Sequence, residues 1–156
     1  MHYTSTTDYL LALDKIPSSC FAAINMTTPR FKLDFKVRDY ECDLQGVVNN
    51  AVYLNYLEHT RHEFLLARGL DFARLHAEGI DPMVIRIEAD YKHPLRSGDQ
   101  FTCSLDMERE GAARFVFIQT LHRQPENQLI LSARVTAVCV RNGRPIRAAV
   151  LMDKLT

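Results

Sequence analysis

One segment of the sequence, residues 37–53, combines residue types that acyl-transfer chemistry needs. Asp43 lies in a loop that precedes a predicted helix start at Asn50, and Gly46 between them lets the backbone turn or approach a ligand closely. Free N–H groups at a helix start favour developing negative charge. Donors aimed at an oxyanion, with a carboxylate nearby, are the minimum equipment for acyl transfer. The residues alone leave two interpretations of Asp43 open, a catalytic carboxylate and a structural turn residue, because aspartate is also a common turn former.

Helical and alternating apolar patterns define the elements that must position this segment. Apolar residues alternate from Phe31 to Val37, which predicts a half-buried strand. Helical spacing follows from Asn50 to Arg68, with Asn49 or Asn50 as the N-cap and Gly69 just beyond the end. A shorter helix is predicted over 71–78. Four further segments predict antiparallel strands. Apolar residues alternate over about 85–92 and 101–108, whereas 113–122 and 128–141 are apolar on both faces, as expected of central strands. The fold class is therefore α+β, with the long helix packed on one sheet face.

Composition and charge argue against several classes of function. The chain has 156 residues, with 19 basic and 19 acidic side chains and a formal net charge of zero. A general nucleic-acid binder or a polybasic membrane-surface protein needs a basic field, so neither is expected. No apolar run approaches the ~20 residues of a membrane span. The four cysteines form no C-x-x-C pair, and a reducing, cytoplasmic compartment is the default expectation.

Histidine spacing gives no support for a metal site. His59, His62 and Glu63 form H-x-x-H-E, whereas zinc proteases of the H-E-x-x-H type place their histidines four residues apart. Both histidines lie opposite the apolar stripe of the long helix, so we interpret them as a solvated face. For Arg61, near the edge of that stripe, we expect an ion pair with Glu58. We expect neither a metal nor a cofactor.

The first 30 residues lack the regular pattern of the rest. They are rich in serine and threonine, and Asp8 to Ile16 is compatible with one short helix capped by Thr7. The apolar piece is too short for a secretory signal, so we treat residues 1–30 as an appendage and residues 31–156 as the domain. A plastid location would require this appendage to act as an atypical transit segment.

A specific family resemblance adds to these expectations. Asp43, Gly46, Val48-Asn49-Asn50 and Tyr53 resemble the signature of the hotdog-fold acyl thioesterases of the 4-hydroxybenzoyl-CoA thioesterase type. The longer string V-R-D-Y-E-x-D-x-x-G-V-V-N-N-A-V-Y-x-N-Y, with the later segment 94–99, is closest to the plant methylketone-synthase and acyl-lipid thioesterases and their bacterial relatives. The resemblance spans about residues 31–150.

The resemblance implies a fold, an assembly and roles for particular residues. The fold would be a hotdog, a long helix wrapped by an antiparallel sheet, in a homodimer or homotetramer whose site lies between subunits. The substrate would be an acyl-CoA or acyl-ACP thioester. Asp43 matches the catalytic carboxylate, and Asn50 matches the residue whose backbone N–H polarises the thioester carbonyl. The expected substrate-binding residues surround these two: Gly46, Val47, Val48, Asn49 and Tyr53.

Two other classes of function stay in view beside a hydrolase. A non-catalytic hotdog module would bind acyl thioesters as a sensor or scaffold, but it has no need of a carboxylate such as Asp43 beside the thioester. A hotdog dehydratase would need a catalytic histidine, and the motif loop has none. The pattern therefore favours thioester hydrolysis.

Overall fold

Six strands and three α-helices follow one another in residues 31–154, the part of the chain that the computed structural model describes. The strands are β1 (Phe31–Lys36), β2 (Asp81–Tyr91), β3 (Gln100–Glu110), β4 (Arg114–Gln124), β5 (Gln128–Arg141) and β6 (Arg144–Ile146). The helices are α1 (Asn50–Ala67), α2 (Phe72–Ala77) and α3 (Ala149–Met152), with a 3₁₀ turn at Asp39–Glu41. The appendage and its predicted helix lie outside the described residues.

All six strands belong to one antiparallel sheet. Its order is β1-β3-β4-β5-β2, with β6 paired to β5. The strand before α1 therefore pairs with β3, while β2 crosses to the far edge of the sheet beside β5. The strands before and after the two helices, β1 and β2, are thus the two edge strands of the main sheet. The predicted α+β class is confirmed, and no helix within residues 31–154 is long and apolar enough to cross a membrane.

Helix α1 forms because its ends are capped and one side of it is apolar. The Asn49 side chain caps the start by accepting from the Ala51 N–H at 2.9 Å. The end is closed by Gly69, whose positive φ of 73° suits glycine, and by the Leu70 N–H donating to the Leu65 carbonyl. The buried positions recur every three or four residues and face the sheet: Tyr53, Tyr56, Leu57, Thr60, Arg61, Phe64 and Leu65.

Arg61 differs from its predicted environment. It is only 7% exposed, and its guanidinium donates to the Gln119 side-chain oxygen on β4 at 3.0 Å. Gln119 in turn donates to the Leu57 carbonyl at 3.0 Å. The expected pair with Glu58 is wrong, because that carboxylate lies beside His62 on the exposed side of α1. Burial lowers the pKa of Arg61 from its ordinary value. A neutral amide, rather than a carboxylate, therefore holds this cation between helix and sheet.

Replacing Gln119 should destabilise the fold through Arg61. In Gln119→Leu the guanidinium would lose its buried acceptor, and a hydrogen bond to a charged group is worth about 1.5–3 kcal/mol. We expect the free energy of unfolding, measured by urea denaturation at fixed protein concentration, to fall by about that amount. Gln100→Leu, at an exposed position on β3, is the matched control and should stay within about 0.5 kcal/mol of the parent. A parent-like Gln119→Leu would contradict this role.

Candidate active site

The loop from Cys42 to Val48 is a closed hairpin-like turn. A β-bridge joins Cys42 to Val48, and the Asp43 N–H donates to the Val47 carbonyl at 2.8 Å. The Gly46 N–H closes the turn on the Asp43 carbonyl at 3.0 Å. Gly46 has a φ of 71°, a left-handed conformation that favours glycine. Glycine is therefore required here by the turn itself.

The Asp43 carboxylate is held by donors from its own loop. Its Oδ1 accepts from the Gln45 N–H at 2.9 Å and from the Val47 N–H at 3.4 Å. The Gln45 amide also faces the carboxylate. With its nitrogen on that side, the arrangement that gives both of its atoms complementary partners, it donates to Oδ1 at 3.0 Å and to Oδ2 at 3.1 Å. Asp43 is thus a turn former as well as a candidate for chemistry, and Gln45 is a contact that the sequence analysis missed.

The start of α1 leaves one amide available. Of the first three helical N–H groups, Ala51 donates to the Asn49 side chain and Val52 donates to the Asn49 carbonyl, both at 2.9 Å. The Asn50 N–H has no acceptor within residues 31–154. It is a free donor at the positive end of an 18-residue helix, adjacent along the chain to the Asp43 loop. This arrangement is suited to an oxygen that gains negative charge.

A second turn, residues 94–99, is hydrogen-bonded to the loop. Leu95 accepts from the Val48 N–H and donates its own N–H to the Tyr53 hydroxyl oxygen, both at 2.9 Å. Ser97 donates to Asp39, and the Arg96 guanidinium lies near Gly46. Burial raises the pKa of Tyr53, whose ring is 3% exposed. Val48 and Tyr53 therefore form the framework under the loop, and substrate contact by either remains a prediction.

Glu41 is a buried carboxylate that accepts three hydrogen bonds beside the loop. Its Oε2 accepts from the Arg38 N–H and from the Tyr56 hydroxyl, each at 2.7 Å, and its Oε1 accepts from the Arg38 side chain at 3.2 Å. Burial and the neighbouring carboxylate raise the pKa of Tyr56, so this phenol remains a hydrogen-bond donor. The Glu41 carbonyl also accepts from the Asn49 N–H at 3.0 Å. Nothing in the spacing of these residues predicts the contact, which joins positions 15 apart.

The predicted site residues divide into an outer set and a framework. Asp43, Gly46 and Val47 are joined within the loop, Asn49 and Asn50 follow at the helix start, and Val48 and Tyr53 are buried. A groove of about 980 Å³ lies along β1 and α1, and neither Asp43 nor Asn50 lines it. Both residues lie outside this groove, with Asp43 half-buried and Asn50 exposed.

The described chain offers no metal centre. Within residues 31–154, no group of three or more histidine, cysteine, aspartate or glutamate side chains is placed to hold a metal ion. His59 packs against Phe35 with ring centroids 5.8 Å apart, and His62 lies near Glu58 and the Phe72 ring. These contacts match the interpretation of both histidines as residues of an outer helix face.

Comparison with known proteins decides the family. The family model for the thioesterase-like superfamily matches residues 37–155, most of the chain. The chain belongs to the thioesterase-like superfamily.

Individual relatives of this thioesterase-like chain come from plants and bacteria. Over 117 residues it is 39% identical to the acyl-acyl carrier protein thioesterase ATL3, chloroplastic, of Arabidopsis thaliana, covering 74% of this chain and 62% of the relative. It is 30% identical over 105 residues to the long-chain acyl-CoA thioesterase FadM of Escherichia coli, covering 67% of this chain and 79% of FadM. The chain thus spans less than two thirds of the length of the plant relative.

Solved structures confirm the fold. A hypothetical protein from Aquifex aeolicus superposes with a TM-score of 0.75 at 25% identity, covering 81% of this chain and 99% of that protein. The 1,4-dihydroxy-2-naphthoyl-CoA thioesterase Slr0204 from Synechocystis also gives 0.75, at 18% identity, covering 80% of this chain and 94% of that protein. At 18% identity, the similarity to Slr0204 shows a shared fold only. The expected hotdog, α1 wrapped by an antiparallel sheet, is confirmed.

Proposed function

We propose that this thioesterase-like protein hydrolyses acyl thioesters carried by coenzyme A or acyl-carrier protein. The observation that carries the proposal is the free Asn50 N–H at the start of α1, beside the loop that holds Asp43. The names of the relatives, which include acyl-ACP and acyl-CoA thioesterases, support the same reaction and leave both carriers open. The overall change is thioester plus water to free acid plus thiol.

In the proposed reaction the two groups have separate tasks. The thioester carbonyl oxygen accepts from the Asn50 N–H, which stabilises the negative charge that develops as the carbon becomes tetrahedral. Asp43 either attacks the carbon and expels the thiolate, forming an anhydride that water then hydrolyses to the free acid, or it removes a proton from an attacking water and passes that proton to the departing sulfur. Positions 47 and 50 hold valine and asparagine, so neither can supply an imidazole. The backbone donor must then polarise the carbonyl.

The substitution Asp43→Asn separates the catalytic role from the turn. Asparagine keeps the side-chain oxygen that accepts from the Gln45 and Val47 amides, so the melting temperature should not change. Activity on an acyl-CoA should fall by about 10²–10⁴, because the neutral amide can neither attack nor accept a proton. Asp34→Asn, which changes an exposed carboxylate on β1 that accepts from Thr102, is the matched control.

Retention of more than about a tenth of the activity by a normally melting Asp43→Asn protein would contradict the catalytic role, being well outside that range. The non-catalytic binding module would then be the better account of the site.

We further propose that two copies pair through β2 to complete the site. Strand β2 is an edge of the sheet within the described chain, since it pairs with β5 alone. It exposes a row of apolar side chains: Met83, Val84, Ile85, Ile87 and Tyr91. An exposed apolar edge strand invites aggregation unless it is covered, and a second copy covers it by antiparallel pairing about a two-fold axis. Such pairing would also supply walls for the open surface around Asp43.

Light scattering tests the assembly. We expect a mass of two chains of 17.9 kDa each, or of four chains if dimers pair again. Ile87→Lys should shift the protein toward the monomer and lower its activity, because a charge at the centre of the edge opposes pairing. Leu66→Lys, on the exposed side of α1, is the matched control and should keep the parental mass. A parent protein that is active as a monomer would overturn the shared site.

A further inference from the structure

Tyr91 connects the edge strand to the helix start. It is the last residue of β2, and its hydroxyl donates to the Asn50 carbonyl at 3.1 Å, across 41 positions of sequence. Its ring meets Tyr53 edge-on, with centroids 5.4 Å apart. Within residues 31–154 it is the one side chain that hydrogen-bonds to Asn50. The contact therefore acts on the residue whose N–H is free.

The neighbours of Asn50 are held by other groups. Asn49 is held by the Glu41 carbonyl and caps Ala51, while Val48 is tied to Leu95. Inside the helix, the Asn49 carbonyl lies in the same peptide plane as the Asn50 N–H, and it accepts from the Val52 N–H at 2.9 Å. The Tyr91 hydroxyl adds a bond from the end of β2 to this first turn, so it holds the turn, and the Asn50 N–H with it, in place relative to the sheet.

We infer that Tyr91 is a positioning residue for thioester cleavage, whose hydroxyl holds Asn50 so that its N–H points at the thioester oxygen. This inference rests on the function proposed above. An oxyanion donor contributes most when it is already aimed at the place where charge develops, so its alignment matters more in the transition state than in the bound substrate. Loss of the hydroxyl should therefore lower kcat and leave KM nearly unchanged.

A purely structural role for Tyr91 gives a different pattern. Its side chain is 43% exposed, so a hydroxyl that served only stability would change the melting temperature slightly and leave kcat alone. A role only in pairing through β2 would change the mass of the assembly. Phenylalanine keeps the ring and its contact with Tyr53, so Tyr91→Phe isolates the hydroxyl.

The experiment compares Tyr91→Phe with Tyr40→Phe. The Tyr40 hydroxyl is exposed and has no hydrogen bond in the described part of the chain, so its removal is the matched control. For Tyr91→Phe on an acyl-CoA we expect kcat to fall about three- to tenfold, the range of one hydrogen bond, with KM within about twofold. Parental mass by light scattering and a melting temperature within about 4 °C should accompany this loss.

Hydrogen exchange gives a readout that does not depend on turnover. Amides in the first turn of α1 should exchange several-fold faster in Tyr91→Phe, and at the parental rate in Tyr40→Phe. Unchanged exchange, a kcat within twofold of the parent, or a loss that appears equally in KM would each overturn the positioning role. If the parent hydrolyses no acyl thioester, the proposed function fails by itself. Faster hydrogen exchange in Tyr91→Phe would then still support the role of the Tyr91 hydroxyl in fixing the start of α1.

Discussion

The start of α1 is the constraint on which the rest of the site depends. A helix leaves its first amides without partners inside the helix, and each buried donor must find one elsewhere or lose free energy. Asn49 satisfies two of them through its side chain and its carbonyl, and the Asn50 N–H is left over. The sequence places this free donor beside the Asp43 loop. The proposed chemistry uses a group that secondary structure alone cannot satisfy.

Buried polar contacts hold that start in place. Glu41 and Tyr56 join the loop to the first half of α1, and Leu95 joins it to the turn before β3. Further along, Arg61 and Gln119 fix the helix to β4. Each of these groups would be costly to bury without its partner. The framework thus specifies the position of the helix relative to the sheet more sharply than apolar packing does, since apolar contacts have little directional preference.

Local patterns in the sequence predicted the elements but not how distant ones meet. The alternation over β1, the span of α1, Asn49 as a possible cap and Gly69 at the helix end depend on near neighbours, and all are confirmed. The place of β2 beside β5 depends on a crossover that no local spacing encodes. The partner of Arg61 was mistaken for the same reason, because Gln119 is 58 positions away. Glu41 and Gln45 were missed since neither belongs to a periodic pattern. Residue types and spacing drew attention to Asp43 and to the helix start at Asn50, and the family resemblance then implied their catalytic roles.

A crystal structure of the Asp43→Asn protein with a bound acyl-CoA would test the central claim most directly. The substitution should slow turnover enough to retain the thioester while keeping the loop. The account predicts the thioester oxygen about 2.7–3.2 Å from the Asn50 nitrogen, and the side chain at position 43 about 3–3.5 Å from the carbonyl carbon or one water away. A thioester bound elsewhere, with the Asn50 N–H facing solvent, would contradict it.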